Sequence, residues 1–106
     1  MSDKELLELA AKAYGIEVTA VVPDGIPHRF GGGYWNPLTD DGDALRLAVR
    51  LKIEVFPQVY RRDGSDARNH HGEYFTEMAV DNGDDIYAAT RRVIIRAAAE
   101  IGRSMK

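Results

Sequence analysis

Tyr34-Trp35-Asn36-Pro37-Leu38-Thr39-Asp40-Asp41-Gly42-Asp43-Ala44-Leu45-Arg46-Leu47-Ala48-Val49 is the stretch that decides the fold. It holds the chain's one tryptophan, a proline turn, an acidic helix start and the beginning of an apolar helix face. Thr39 stands where an N-cap is needed. Asp40, Asp41 and Asp43 fall in the first turn, where the helix dipole favours negative charge. Ala44, Leu47, Ala48 and Leu51 recur at helical spacing and predict a buried stripe, with Leu45 and Val49 widening it. Arg46, Arg50 and Lys52 lie toward solvent or the C-terminal end of that helix.

Upstream, Ser2 to Tyr14 predicts another helix. Ser2 and Glu5 have the spacing of a capping box, Leu6, Leu9, Ala10 and Ala13 supply one apolar stripe, and Gly15 is placed to end it. Ile16 to Val22 is rich in β-branched residues and predicts a strand that Pro23-Asp24-Gly25 breaks. The run from Ile26 to Gly33 admits two readings. Gly31-Gly32-Gly33 is either a hairpin tip or part of a long loop carrying a short strand at Ile26–Phe30.

Downstream, Ile53 to Arg61 alternates apolar and polar residues as a strand does. Pro57 cannot donate to a ladder, so this strand belongs at an edge or a bulge. Arg62-Asp63-Gly64-Ser65 predicts a turn, Asp66 to Gly72 a loop, and Glu73 to Val80 the returning strand, which together make a hairpin with a long polar tip from Arg61 to Gly72. Asp81-Asn82-Gly83-Asp84 ends the sheet and caps the last helix. In the last helix Ile86, Ala89, Val93, Ala97 and Ile101, with Ile94, form the buried side. Arg91, Arg92, Arg96, Glu100 and Arg103 form the polar side. The order is α-β-α-β-β-α. The hairpin argues against parallel crossovers throughout, so the class is α+β with a small, mostly antiparallel sheet and three helices.

A chain of 106 residues makes one domain, 1–106, because two separate cores would each be too small. The 44% hydrophobic and 29% charged composition is that of a globular chain. Its net charge of −3 argues against a general polyanion binder. With no cysteine there is no disulfide framework, thiolate nucleophile or cysteine-ligated zinc. No apolar run approaches a membrane span, and Ser2-Asp3-Lys4-Glu5 lacks the basic start of a signal peptide, so a cytoplasmic location is expected.

Motifs that carry chemistry are scarce. Gly31-Gly32-Gly33 lacks the lysine and hydroxyl of a phosphate loop and the spacing of a dinucleotide site. No nucleophile–base pairing or glycine-serine elbow is present, so a non-enzyme without cofactor or metal is expected. Asp63, Asp66, His70 and His71 offer a weak metal alternative, set against a solvated hairpin tip. Arg91, Arg92 and Arg96, with the loop residues Arg61, Arg62 and Arg68, offer a nucleic-acid-binding alternative. Tyr34, Trp35, Phe56 and Tyr60 are the candidate contacts for a protein partner, because aromatic residues are enriched at interfaces.

The Trp35–Val49 segment, with its aromatic-x-Pro-x-Thr-Asp turn into a helix, resembles the hallmark of small phage and prophage proteins called the phage ABA sandwich domain. The N-terminal helix and following strand, Leu6 to Val22, and the alanine-rich end, Tyr87 to Met105 with Arg96-Ala97-Ala98-Ala99-Glu100, are similar as well. The resemblance implies an α-β-α sandwich encoded by a phage or prophage, and it carries no catalytic or binding residues. The expected function is that of an accessory protein acting through protein–protein contacts in the host cytoplasm, with a second copy of itself, as a homodimer, as one candidate partner. Pro57 on an edge strand would limit open-ended pairing.

Overall fold

The computed structural model describes residues 1–28, 31–58 and 63–105. Three helices form where the periodicity places them. α1 spans Asp3–Tyr14, α2 Asp41–Leu51 and α3 Ile86–Ser104. The Ser2 hydroxyl accepts the Glu5 N–H at 3.2 Å and donates to the Glu5 carboxylate at 3.1 Å. Gly15 ends α1 with φ +96°, its N–H donating to the Ala11 carbonyl. The buried face of α1 is Leu6, Leu7, Ala10 and Ala11, whereas Leu9 and Ala13 are only half-buried. The expected stripe is thus turned about one position.

α2 is capped by Asp40 rather than Thr39. The Asn36 carbonyl accepts the N–H groups of both Thr39 and Asp40, at 3.1 and 2.9 Å, and carries the turn one residue further. The Asp40 carboxylate then accepts the Asp43 N–H at 2.8 Å. α3 is capped by Asp85 rather than by the Asp81–Asp84 run, the first half of which is taken up by a 3₁₀ turn, and the Asp85 carboxylate accepts the N–H groups of Tyr87 and Ala88.

The strands depart further from expectation. Ile16 to Val22 joins no sheet among the described residues, apart from an isolated bridge between Val22 and Gly25, and bends at Thr19. Ile16, Val18 and Val21 pack against the core, so side-chain burial holds the segment without a partner ladder. β1 (Ile26–Pro27) pairs antiparallel with β2 (Tyr34–Trp35), which places Gly31-Gly32-Gly33 in a hairpin connection. This settles the two readings of that run in favour of the hairpin. Phe30, the end of the expected short strand, lies outside the described residues.

The three-stranded sheet has the order β3-β4-β5, formed by Glu54–Pro57, Gly64–Arg68 and Tyr74–Met78, all antiparallel. Its centre is the correction of most consequence. Gly64–Arg68, expected as a turn and polar tip, is the middle strand, with Ser65 and Ala67 buried against the core. Small residues are what this position requires, since α3 presses on its inner face. The Ser65 hydroxyl meets that of Thr90 at 2.7 Å. The actual turn is Asn69 to Gly72, organised by the Asn69 side chain. Its Oδ1 accepts the N–H groups of His71 and Glu73, and its Nδ2 donates to the Ala97 carbonyl of α3. A 3₁₀ turn, Ala79–Asn82, links β5 to α3.

Among the described residues the architecture is α+β: three helices with wholly antiparallel strand pairing, broadly in the expected order. α3 is the hub and packs against α1, α2, the 3₁₀ turn and all three strands of the larger sheet. Ala89, Ala97, Ala98 and Ala99 are fully or almost fully buried on it. α1 comes so close that a Cβ on Gly102 would lie 2.0 Å from the Leu9 carbonyl oxygen. We expect Gly102→Ala to destabilise the chain by about 2–4 kcal/mol, because it forces two backbones apart in a packed core. Urea denaturation checks this, and a loss below about 0.5 kcal/mol would contradict the close contact.

Candidate partner-binding groove

The turn leading into α2 is fixed by two buried polar side chains, Asn36 and Asp43. Asp43 accepts the Asn36 backbone N–H at 2.9 Å and an Arg46 N–H at 2.7 Å. This hydrogen bond to Asp43 is the main reason the Arg46 guanidinium is held above its ordinary pKa. Asn36 Oδ1 accepts the Leu38 N–H and its Nδ2 donates to the Asp24 carbonyl, so one side chain ties the turn to the segment before β1. Trp35 stacks on Tyr14 at 5.7 Å between centroids, and Arg50 of α2 lies 4.9 Å over the same Tyr14 ring. These contacts set the position of α2 against α1.

With its inner face so held, α2 leaves two large apolar side chains outside. Leu45 and Val49, expected to widen the buried stripe, are 64% and 70% exposed. The core side is met by Ala44, Leu47 and Ala48, and these suffice to reach α3. Tyr87, in the first turn of α3, is 70% exposed. Between Leu45 and Tyr87 lies a groove of about 380 Å³. Ala44, Leu45 and Ala48 form its α2 wall, Ile86, Tyr87 and Ile94 its α3 wall, and Val55 and Pro57 its β3 wall. Its polar groups are already engaged. Asp41 bonds Arg91 at 2.7 Å, and the Thr90 hydroxyl donates to the Ile86 carbonyl. Such a surface offers an incoming molecule apolar contact and few polar handles.

β3 borders this groove as an edge of the sheet. The Gln58 N–H donates to the Gly64 carbonyl, which fixes the alternation of the ladder: Val55 and Pro57 face outward from it. Pro57 therefore costs no ladder bond, as an edge proline should. It also leaves the outward edge with a single N–H over those two positions.

The other candidates are scattered. Trp35 is 3% exposed and acts as an anchor, with its Nε1 buried and without a hydrogen-bond partner, so it is not free to meet another protein. Tyr34, beside it, is exposed on the two-stranded sheet. Phe56 belongs to the other sheet, stacked on Tyr74 at 6.1 Å. Tyr60 lies outside the described residues, as do Arg61 and Arg62. The remaining arginines hold the fold together. Arg91 also donates to the Leu38 carbonyl, Arg92 bonds Asp3 at 2.6 Å, Arg96 bonds Glu77 at 2.7 Å, and Arg68 pairs with Glu54. Asp63 precedes β4 whereas His70 and His71 follow it, so the strand separates them. Among the described residues no group of three or more histidine, aspartate or glutamate side chains converges as a metal site.

No family model, curated protein or solved structure matches the chain. No helix among the described residues is long and apolar enough to cross a membrane. The geometry of α2 is open to direct measurement. Leu45→Asp and Val49→Asp should each stay within about 0.5 kcal/mol of the parent protein in thermal unfolding, as exposed positions do. Leu47→Ala should cost about 2–5 kcal/mol, as a buried leucine does. A Leu45→Asp protein as destabilised as Leu47→Ala would return Leu45 to the core.

Proposed function

We propose that this chain is a phage or prophage accessory domain, non-enzymatic, that acts in the host cytoplasm by holding another protein in the groove between α2, α3 and β3. The observation that carries the reading is the uncovered apolar set Leu45, Val49 and Tyr87 beside a groove walled by apolar side chains. An apolar patch of this kind is unfavourable in water unless something covers it for part of the time. The phage assignment rests on the resemblance of Trp35–Val49. The non-enzymatic reading rests on a groove whose ionisable rim groups, Asp41 and Arg91, bond each other.

The groove reading is tested with two baits presented to host extract, the parent protein and Leu45→Asp. Host proteins retained by the parent and lost by the variant are the expected result. Equal retention by both, or none by either, counts against it. The arginine alternative has its own measurement. Because Arg68, Arg91, Arg92 and Arg96 each meet a carboxylate within the fold, duplex and single-stranded probes should remain unshifted at low salt, where phosphate contacts are strongest. A retarded band there would favour nucleic acid over protein as the partner.

A further inference from the structure

We infer that a second copy of this chain occupies the groove, joined about a two-fold axis with α2 packed antiparallel to its mate. The inference rests on the partner-binding reading and identifies the partner. At 100° per residue, Asp41, Leu45 and Val49 fall within an arc of about 80° along the outer flank of α2, and Lys52 follows as the left-handed residue that ends the helix. All four are exposed. The stripe is acidic at its N-terminal end, apolar in the middle and basic at its C-terminal end.

A stripe of that kind is complementary to itself when reversed. In an antiparallel pair Asp41 faces the second copy's Lys52, and Leu45 faces the second copy's Val49. Both pairs are centred at one point of the helix, beside Leu47, so a single two-fold axis satisfies them together. Antiparallel helices also oppose their dipoles favourably. Projecting side chains and receiving groove sit on one patch, which is the requirement of an isologous interface. The other charges of α2 do not interfere. Arg46 is held by Asp43, and Arg50 lies over Tyr14 on the far flank.

Strand addition at β3 is the competing way for two copies to meet. It is poorly supported, because Pro57 deprives the outward edge of a donor. A contact made by one 11-residue helix and its neighbours is small. It belongs below about 1,200 Å² in total, the range of weak, concentration-dependent association.

Sedimentation velocity between about 5 and 500 µM brackets interfaces of this size. The parent protein should pass from monomer to dimer over that range, and Val49→Asp should stay monomeric throughout. Lys52→Glu, which sets a like charge against Asp41, should weaken the dimer about tenfold. The reversed pair Asp41→Lys with Lys52→Glu should recover most of it. A second measurement avoids dependence on the Asp41–Arg91 bond. The parent chain has no cysteine, so a mixture of Leu45→Cys and Val49→Cys proteins should oxidise to the mixed dimer in excess of both homodimers. A parent protein monomeric at every concentration, an unaffected Val49→Asp dimer, or a merely statistical disulfide mixture would each overturn the inference. If the parent is monomeric but Leu45→Asp still loses host proteins, only the identity of the occupant fails. If the dimer forms but no host protein depends on Leu45, the host partner fails and the dimer stands.

Discussion

The contact on which the rest of the structure depends is the meeting of α1 and α3 at Gly102. There is no room for a side chain between that Cα and the Leu9 carbonyl. Two helices this close exchange dispersion contacts along their backbones, and small residues are the condition for it. The same condition propagates along α3. Ala97, Ala98 and Ala99 are consecutive and all buried, so they cover about 200° of the helix surface, while Arg92, Arg96, Glu100 and Arg103 keep the remaining side polar. Here α1, α2 and the three-stranded sheet all lean on it. Because an alanine buries little area, these positions contribute through closeness, beside the larger Leu6, Leu7, Leu47, Val93 and Ile95 of the same core. A single added methyl is therefore felt strongly.

The second constraint is polar. Asp43 is a carboxylate almost wholly removed from water, and its desolvation is offset by a backbone N–H on one oxygen and a guanidinium on the other. That pairing joins the turn at Asn36 to the first turn of α2. Gly25 completes the arrangement from the other side, since a Cβ there would lie 2.6 Å from the Trp35 carbonyl and 2.8 Å from the Asn36 Cβ. The Trp35–Asp43 segment is thus rigid for local reasons. Its tryptophan is used inward, on Tyr14, and is thereby unavailable as a contact residue.

Which parts were legible in the sequence follows from what each element depends on. The helices were, because capping residues and a 3.6-residue period act within one turn of chain. Even there Asp40 displaced Thr39 as cap, through a carbonyl bond that no propensity records. The strands depend on partners far along the chain. Ile16–Val22 has the composition of a strand and joins no sheet among the described residues, whereas Gly64–Arg68 has the composition of a turn and lies between two strands. Its small polar residues reflect the pressure of α3, which is invisible at β4 itself. The groove was hidden for a similar reason. Leu45 and Val49 border the buried stripe closely enough to be counted with it, and only which face of α2 meets α3 decides that they stay outside. The one available signal was their position on the far side of Ala44 and Ala48 from Leu47.

The groove itself follows from the alanines. A bulky residue at Ala44 or Ala48 would fill the space between α2 and α3 and bury its own surface there. Alanine leaves the space open and lets Leu45 and Val49 stand beside it as a ridge. The unfavourable hydration of that ridge is then present in the isolated chain and relieved on contact. Such an arrangement trades stability of the monomer for free energy available on association. A core that relies on close backbone contact elsewhere, at Gly102, keeps the fold intact while this flank remains uncovered. The division is physical: α3 holds the domain together through its small residues. The same economy of side-chain volume on α2 leaves a surface whose apolar centre and opposed end charges match their own reversed image.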